Sequence, residues 1–376
     1  MTDKPASDDR IKPIVMPKWG LSMKEGKVTG WLAEEGTRID VGKEILEVET
    51  DKIAGVVEAA DAGILRRRIG EPDTVYPVKA LLGVVADDSV SDAEIDSYVA
   101  GYVTPAADEE GEEAGAAHEF LDLPAGRIRY AKRGSGAKTV ILIHGFGGDL
   151  DNSLFNIDAV AEDATVYALD LPGHGQSVKT ISEPTPAGLA RTVLAFADAL
   201  GLKEIHLVGH SLGGAIAIEA ARQGKGKVRS LALIASAGLG SEINGDYIAG
   251  FVKAASRREM KPVVETLFAD PAKVTRQLVE DLLKYKRLDG VEGALSALAE
   301  GSFKEGRQQV QLAGELGKLG IPVLVVWGAE DKILPAGHAA NAKGARIEVI
   351  EGAGHMVQME AAAKVNGLLK EHLAKG

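Results

Sequence analysis

The feature of this chain that most limits its fold is a short turn, Gly209-His210-Ser211-Leu212-Gly213-Gly214. An apolar run, Glu204-Ile205-His206-Leu207-Val208, precedes it, and a segment of helical periodicity, Gly213 to Arg222, follows it. Glycines on both sides of a serine permit a sharp strand-to-helix reversal that lifts the hydroxyl above a sheet, next to a helix N-terminus that favours an anion. A buried strand running directly into a helix is the unit of a mostly parallel sheet covered on both faces. The surrounding sequence agrees. Thr139 to Ile143, Thr165 to Leu169, Val228 to Ile234, Val323 to Trp327 and Arg346 to Ile350 read as strands, and Pro186 to Leu200 reads as a helix. Between Ser241 and about Leu319 no strand pattern occurs, so an all-helical lid over about 241–319 is expected.

The region ahead of this unit follows a different pattern. Ile14-Val15-Met16, Lys27 to Leu32, Glu44 to Glu49 and Ile53 to Glu58 are short strand-like runs broken by glycines, which predicts a small all-β domain over 11–88. Met16, Trp31 and Ile45 read as its core, and Arg66-Arg67-Arg68 as solvated surface. Ser91 to Tyr102 reads as a short helix or extended tail. The stretch Asp108-Glu109-Glu110-Gly111-Glu112-Glu113, set among Ala and Gly, cannot bury a core. Residues 89–118 are therefore expected to be a tail and flexible acidic linker, and 119–376 the catalytic domain. A length of 376 residues accommodates this division.

Composition excludes several functions. A net charge of -12 disfavours nucleic acid and anionic membrane surfaces as partners. The absence of cysteine removes disulfides, thiolate catalysis and cysteine metal sites, so any thiol chemistry has to come from a cofactor or substrate. No metal-ligand spacing is evident among the eight histidines. Met1 to Arg10 is polar, and no run approaches the roughly 18 apolar residues of a membrane span, so a cytoplasmic location is the expectation.

Lys52 lies in Glu49-Thr50-Asp51-Lys52-Ile53, between two strand-like runs, and so falls at a hairpin tip. Val15-Met16-Pro17-Lys18-Trp19-Gly20, Met23-Lys24-Glu25-Gly26, Trp31, Glu35-Gly36 and Glu47 to Lys52 together resemble a lipoyl domain over about Ile11 to Ala86. The related biotinyl domain places its lysine between two methionines; here the neighbours are Asp51 and Ile53, which favours lipoate. The resemblance implies covalent lipoate on Lys52, carrying an acyl group as a thioester.

In folds with such a serine turn the acid and then the histidine follow in chain order. Asp331, in Gly328-Ala329-Glu330-Asp331, and His355, in Gly352-Ala353-Gly354-His355, each follow a predicted strand, with Glu330 and His338 as rival positions. His355 would accept the Ser211 proton and Asp331 would fix its tautomer. His144-Gly145-Phe146-Gly147-Gly148 and Asp170-Leu171-Pro172-Gly173-His174-Gly175 complete a resemblance to the α/β-hydrolase family over about Phe120 to Gly376. That resemblance implies an oxyanion hole from the backbone N–H groups of Phe146 and Leu212, with His144, Asp170 and His174 shaping loops.

A lipoyl domain joined to an α/β-hydrolase domain resembles the dihydrolipoamide acetyltransferase component of acetoin-cleaving systems. The chain has no His-x-x-x-Asp-Gly motif and no helical subunit-binding domain, unlike the usual acyltransferases of 2-oxo-acid dehydrogenase complexes. The resemblance implies transfer of an acetyl group from the arm on Lys52 to coenzyme A. It also implies two partners: a thiamine-diphosphate-dependent acetoin dehydrogenase component and a dihydrolipoamide dehydrogenase. Two other readings are an esterase or thioesterase with water as acceptor, and a lipoyl carrier with a catalytically minor C-terminal domain. Within the transferase reading, His355 could also activate coenzyme A directly, without an acyl-serine. For coenzyme A itself the sequence offers only charge: Arg222, Lys225, Lys227 and Arg257-Arg258.

Overall fold

The computed structural model describes residues 10–19, 23–50, 54–105 and 118–375, which fall into two compact units. The first is built from two four-stranded antiparallel sheets. One has the order β1-β8-β6-β3, from Ile11–Val15 (β1), Arg38–Ile39 (β3), Gly63–Arg68 (β6) and Leu81–Ala86 (β8). The other has the order β5-β4-β2-β7, from Glu25–Trp31 (β2), Glu44–Glu49 (β4), Ala54–Glu58 (β5) and Thr74–Pro77 (β7). Alternating residues from both sheets meet in one core that contains Met16, Val28, Ile39, Ile45, Val48, Leu65 and Leu82. Trp31 is half-buried and donates from Nε1 to the Gly70 carbonyl at 2.7 Å.

Helix α1 (Asp92–Gly101) covers the outer face of the first sheet. Ser91 starts it with a capping box closed by Glu94. Its fully buried Ile95 packs with Ile11, Val84 and Ala86. This explains why every residue of β8 is buried: the strand has the sandwich core on one side and α1 on the other. The three arginines of β6 are engaged and not free surface charges. Arg66 donates to the Val90 carbonyl at 2.9 Å and pairs with Asp92 at 3.0 Å; Arg67 pairs with Asp96 at 2.8 Å, and Arg68 with Glu34 at 3.2 Å. Strands β4 and β5 pair up to Glu49 and Ala54, so the connection between them spans 50–53. Asp51, Lys52 and Ile53 lie outside the described residues, as does the expected acidic linker from residue 106 to 117.

The second unit is an eight-stranded sheet of order β18-β17-β14-β13-β11-β12-β10-β9. Glu119–Leu123 (β9) and Gly126–Arg133 (β10) form its antiparallel edge. Lys138–Ile143 (β11), Ala164–Leu169 (β12), Ile205–His210 (β13), Val228–Ile234 (β14), Val323–Gly328 (β17) and Arg346–Ile350 (β18) are parallel. Helices α2 (Ile157–Ala161), α3 (Pro186–Ala199) and α4 (Leu212–Gln223) connect the earlier strands. Between β14 and β17 the chain forms α5 (Gly245–Lys253), α6 (Arg257–Glu265), α7 (Arg276–Lys286), α8 (Val291–Ser302) and α9 (Ala313–Leu316). The expected helical lid also contains a hairpin, Phe303–Lys304 (β15) with Arg307–Gln308 (β16). Its strands of two residues are too short to show periodicity, and its turn is carried by Glu305 and Gly306 at φ 51° and 69°. Val357–Glu360 (α10) and Ala362–Lys375 (α11) end the described chain. Among the described residues no helix is long and apolar enough to cross a membrane.

Chain order places a switch point in this sheet. After β11 the chain adds β12 on one side and then β13 on the other, so the connections leaving β11 and β13 diverge and open a crevice at their carboxyl ends. Truncating the buried face of α1 tests the first unit alone. Ile95→Ala is expected to cost about 2–5 kcal/mol, read as lost amide-exchange protection across 10–105 with protection across 118–375 unchanged.

Candidate active site

Ser211 stands at the carboxyl end of β13 with φ 55° and ψ -122°, a strained conformation for a non-glycine residue. The backbone around it is too crowded for side chains. A Cβ on Gly209 would lie 2.3 Å from the Gly213 carbonyl oxygen, and one on Gly213 would lie 2.2 Å from the Ile143 carbonyl oxygen. The strain is held by hydrogen bonds: Ser211 N donates to Ile234 O at 2.9 Å, and Ser211 O accepts from Gly214 N and Ala237 N, both at 2.9 Å. Leu212 is the first residue of α4, so its N–H has no partner within the helix. The loop after β11 comes close on the other side, where a Cβ on Gly145 would be 2.9 Å from Ser211 Cβ.

That loop carries Phe146, whose backbone N–H has no acceptor among the described residues. The Phe146 ring is buried against Phe251 and Phe303, with centroids 5.9 and 6.1 Å apart. The loop's backbone is fixed by two histidines. His144 Nδ1 donates to Gly145 O at 2.8 Å, and its Nε2 accepts from Leu171 N at 3.0 Å. His174 Nδ1 donates to Pro172 O at 3.1 Å, and its Nε2 accepts from Gly147 N at 3.1 Å. Burial keeps both neutral and pushes His174 down to about 3.

Beneath the loop lies a buried ion pair. Arg129 Nε donates to Asp170 Oδ2 at 2.6 Å and its Nη2 to Oδ1 at 3.2 Å. Asp170 also accepts from Leu150 N at 2.9 Å and Gln176 N at 2.7 Å. Burial alone would raise the Asp170 carboxyl, but Arg129 and the Gln176 amide hold it below the usual carboxylate range.

Asp331 and His355 come from the loops after β17 and β18. His355 Nδ1 donates to Asp331 Oδ2 at 2.8 Å, with both side chains buried, which leaves Nε2 as the basic nitrogen. Asp331 Oδ1 accepts from Ile333 N at 2.8 Å and Leu334 N at 3.0 Å, and Oδ2 also accepts from Trp327 Nε1 at 3.0 Å. Burial pushes the Asp331 carboxyl up, yet its pairing with His355 and the Leu334 and Ile333 amides hold it below its ordinary value. The rivals are engaged elsewhere: Glu330 accepts from Gly352 N at 3.1 Å, and His338 bonds Glu242 at 2.9 Å. His355 meets the serine turn through His210, whose Nε2 donates to the His355 carbonyl at 2.9 Å. No hydrogen bond joins Ser211 Oγ to His355 in this arrangement; such bonds commonly tighten only with substrate bound.

Sequence reading overlooked Trp327, Arg129 and His210. The only signal for Trp327 is that an indole four residues before an acid at a strand end needs an acceptor. Arg129 gives none, because its burial depends on the packing of a whole edge strand. Arg222 sits in the last turn of α4, roughly 16 Å along the axis from Ser211, and pairs with Glu219, while Lys227 lies beyond that helix and pairs with Asp198. Among the described residues no cluster of groups could hold a metal ion.

Acid stability follows from these environments. Asp170 and Asp331 contribute stability that is present above about pH 4 and lost as pH falls through their depressed folded values. His174 and His210, both pushed down to about 3, act in the same sense, because the unfolded chain takes up their protons from about pH 6.5 downward. Denaturant titrations of the full chain are expected to show unfolding free energy falling from about pH 6.5 to 4, each histidine adding a slope of up to about 1.4 kcal/mol per pH unit. Asp170→Asn is expected to cost about 3–5 kcal/mol at neutral pH, since it strands Arg129.

Comparison with known proteins places both units. Residues 138–362 match the alpha/beta hydrolase fold family, and residues 12–75 match the family described as biotin-requiring enzyme. A meta-cleavage product hydrolase from Pseudomonas fluorescens IP01 superposes with a TM-score of 0.63 at 22% identity, over 68% of this chain and 97% of that one. It is similar in fold alone. Two relatives extend over the whole chain. The dihydrolipoyllysine-residue acetyltransferase component of the acetoin cleaving system from Cupriavidus necator is 56% identical, over 96% of this chain and 97% of that protein. The component of the same name from Pseudomonas putida is 47% identical, over 97% and 99%. With both units present in the same order along nearly the full length, this chain belongs to the family of dihydrolipoyllysine-residue acetyltransferase components of acetoin cleaving systems.

Proposed function

We propose that the chain carries lipoate on Lys52 and transfers an acetyl group from that arm to coenzyme A in acetoin breakdown, with Ser211, His355 and Asp331 as the catalytic residues. The observation that carries this reading is the 2.8 Å His355–Asp331 pair tied to a strained serine turn, in a chain whose full-length relatives are named acetyltransferases. The β4–β5 connection fits a carrier lysine, since pairing stops at Glu49 and Ala54 and Lys52 falls in the sequence between them. Bound lipoate supplies a thiol that holds the acyl group as a thioester. The chain has no cysteine of its own to do so.

The chemistry divides into two half-reactions. Ser211 Oγ attacks the thioester carbonyl while His355 Nε2 takes its proton. The backbone N–H groups of Phe146 and Leu212 receive the developing oxyanion, and loss of one such donor typically costs about 3 kcal/mol. As the C–S bond breaks, His355 passes the proton to the leaving sulfur. In the second half, His355 Nε2 removes the proton of the coenzyme A thiol, whose sulfur attacks the acyl-serine. The C–O bond breaks and His355 returns the proton to Ser211. Asp331 keeps Nδ1 protonated and stabilises the imidazolium. The helices α5 to α8 act as the lid that keeps water from the acyl-serine. A thiamine-diphosphate-dependent component supplies the acetyl group, and a dihydrolipoamide dehydrogenase reoxidises the arm.

Rapid quench with a labelled acetyl donor is expected to show label on Ser211 before acetyl-coenzyme A appears. An unlabelled serine with normal product formation removes the two-step route, and label released to water regardless of coenzyme A makes the domain a hydrolase. Ser211→Ala is expected to lower transfer at least about 10³-fold, and full turnover in this variant leaves only a carrier. Intact mass of protein from a lipoate-supplied host is expected to show one lipoyl group that Lys52→Ala removes. Trp327→Phe, which deletes one donor to Asp331, is expected to lower kcat by about tenfold, on the order of the 1.4 kcal/mol carried by one hydrogen bond to a charged group.

A further inference from the structure

Two buried polar atoms behind the serine turn have no hydrogen-bond partner among the described residues: Nδ1 of His210 and Oε1 of Gln358. Both residues line one small cavity of about 20 Å³ at the ends of β11, β13 and β14, shared with Ser153 and Asn156. The chemistry of the two atoms is the same. His210 Nε2 faces the His355 carbonyl oxygen at 2.9 Å. A carbonyl can only accept, so the proton of the neutral ring is on Nε2 and Nδ1 presents a lone pair. The ring is neutral because burial pushes it down to about 3. Gln358 Nε2 is directed at Met356 Sδ, 4.0 Å away, and the backbone carbonyl of Gln358 accepts from Asn156 Nδ2 at 3.0 Å. What remains is Oε1, again an acceptor. Two acceptors cannot satisfy one another, and a buried acceptor without a donor is costly.

The cavity has room for one water, which needs about 10–15 Å³. We propose that it is a specific internal water site, in which a single water donates one hydrogen to His210 Nδ1 and the other to Gln358 Oε1. Ser153 and Asn152 line the same cavity and carry donors for the water's own lone pairs. The consequence is positional. The His355 carbonyl fixes the proton of His210 on Nε2, the water satisfies the Nδ1 lone pair that this leaves, and the protonated nitrogen holds the backbone of His355, whose ring lies 4.8 Å from that of His210. His210 is thereby a positioning residue, linked through water to α10, the helix that begins two residues after His355. This second part rests on the role proposed above for His355; the water site does not.

A crystal structure of the full chain that resolves ordered solvent tests the site. One solvent peak within about 3.2 Å of both atoms is expected. No peak, or a peak bonded to only one of them, overturns it. Gln358→Met keeps the volume and removes the acceptor. It is expected to displace the peak, broaden the low-field proton signal of His355 Nδ1–H, and lower kcat for acetyl transfer several-fold at unchanged KM. An unchanged kcat and an unchanged signal in a folded Gln358→Met protein overturn the positioning role. If the wild-type chain transfers no acetyl group to coenzyme A, the functional reading fails while the solvent peak still decides the site.

Discussion

The buried pair of Arg129 and Asp170 is the interaction on which the site's framework depends. Asp170 follows β12 and Arg129 lies on β10, so the pair ties the antiparallel edge to the parallel body of the sheet. The same carboxylate accepts amides from both sides of the loop layer, Leu150 and Gln176. A buried ion pair of this kind contributes little net stability relative to a well-packed apolar substitute, because desolvation offsets most of its attraction. What it supplies is direction. A fixed carboxylate with four donors defines where two loops must run, and His144 and His174 then carry that definition to Gly145 and Gly147 by single hydrogen bonds. Both histidines can do this only while neutral, since each must accept at Nε2. Their burial is therefore part of the same device.

The site is assembled by topology as well. Ser211 and the Phe146 loop stand at the ends of β13 and β11, the neighbouring strands whose connections leave in opposite directions. Side-chain-free backbone at Gly209, Gly213 and Gly145 lets three segments approach within contact distance there. Asp331 and His355 arrive from β17 and β18, two and three strands beyond β13 along the same edge. Each residue thus sits on a loop anchored by a parallel strand, and the strands set the spacing. Such preorganisation suits acyl transfer, in which charge develops on one oxygen and has to be met by donors already in place.

Joining this site to a lipoyl unit compensates for what the chain lacks. Without cysteine it has no thiol for carrying or accepting acyl groups. In the proposed reaction a serine works between two thioesters near thermoneutrality, so the main hazard is water, and the helices between β14 and β17 are proposed as the lid that excludes it. The first unit is small, yet it has its own core, extended by α1 on the outer face of its first sheet. Arg66 and Arg67 of β6 clasp that helix and Arg68 pairs with Glu34, which is why charges that read as solvated in the sequence are engaged in the fold.

Much of this was legible in the amino-acid sequence, because local patterns carry it. Apolar runs separated by helical periodicity determined the parallel sheet, and glycine-broken short runs determined the β unit. The glycines flanking Ser211 determined a turn, since nothing with a Cβ fits there. Asp331 and His355 could be placed at strand ends from their positions after β17 and β18. Tertiary structure alone decided that His355 is 2.8 Å from Asp331 while Glu330 turns to Gly352. It also decided that Trp327 and two backbone amides hold Asp331, that Arg129 is buried against Asp170, and that His210 grips the loop of His355. The reason is physical. Periodicity reports which face of an element is buried, a one-dimensional property. Hydrogen bonds between residues tens to hundreds of positions apart depend on strand order and loop path, which only packing of the whole sheet fixes.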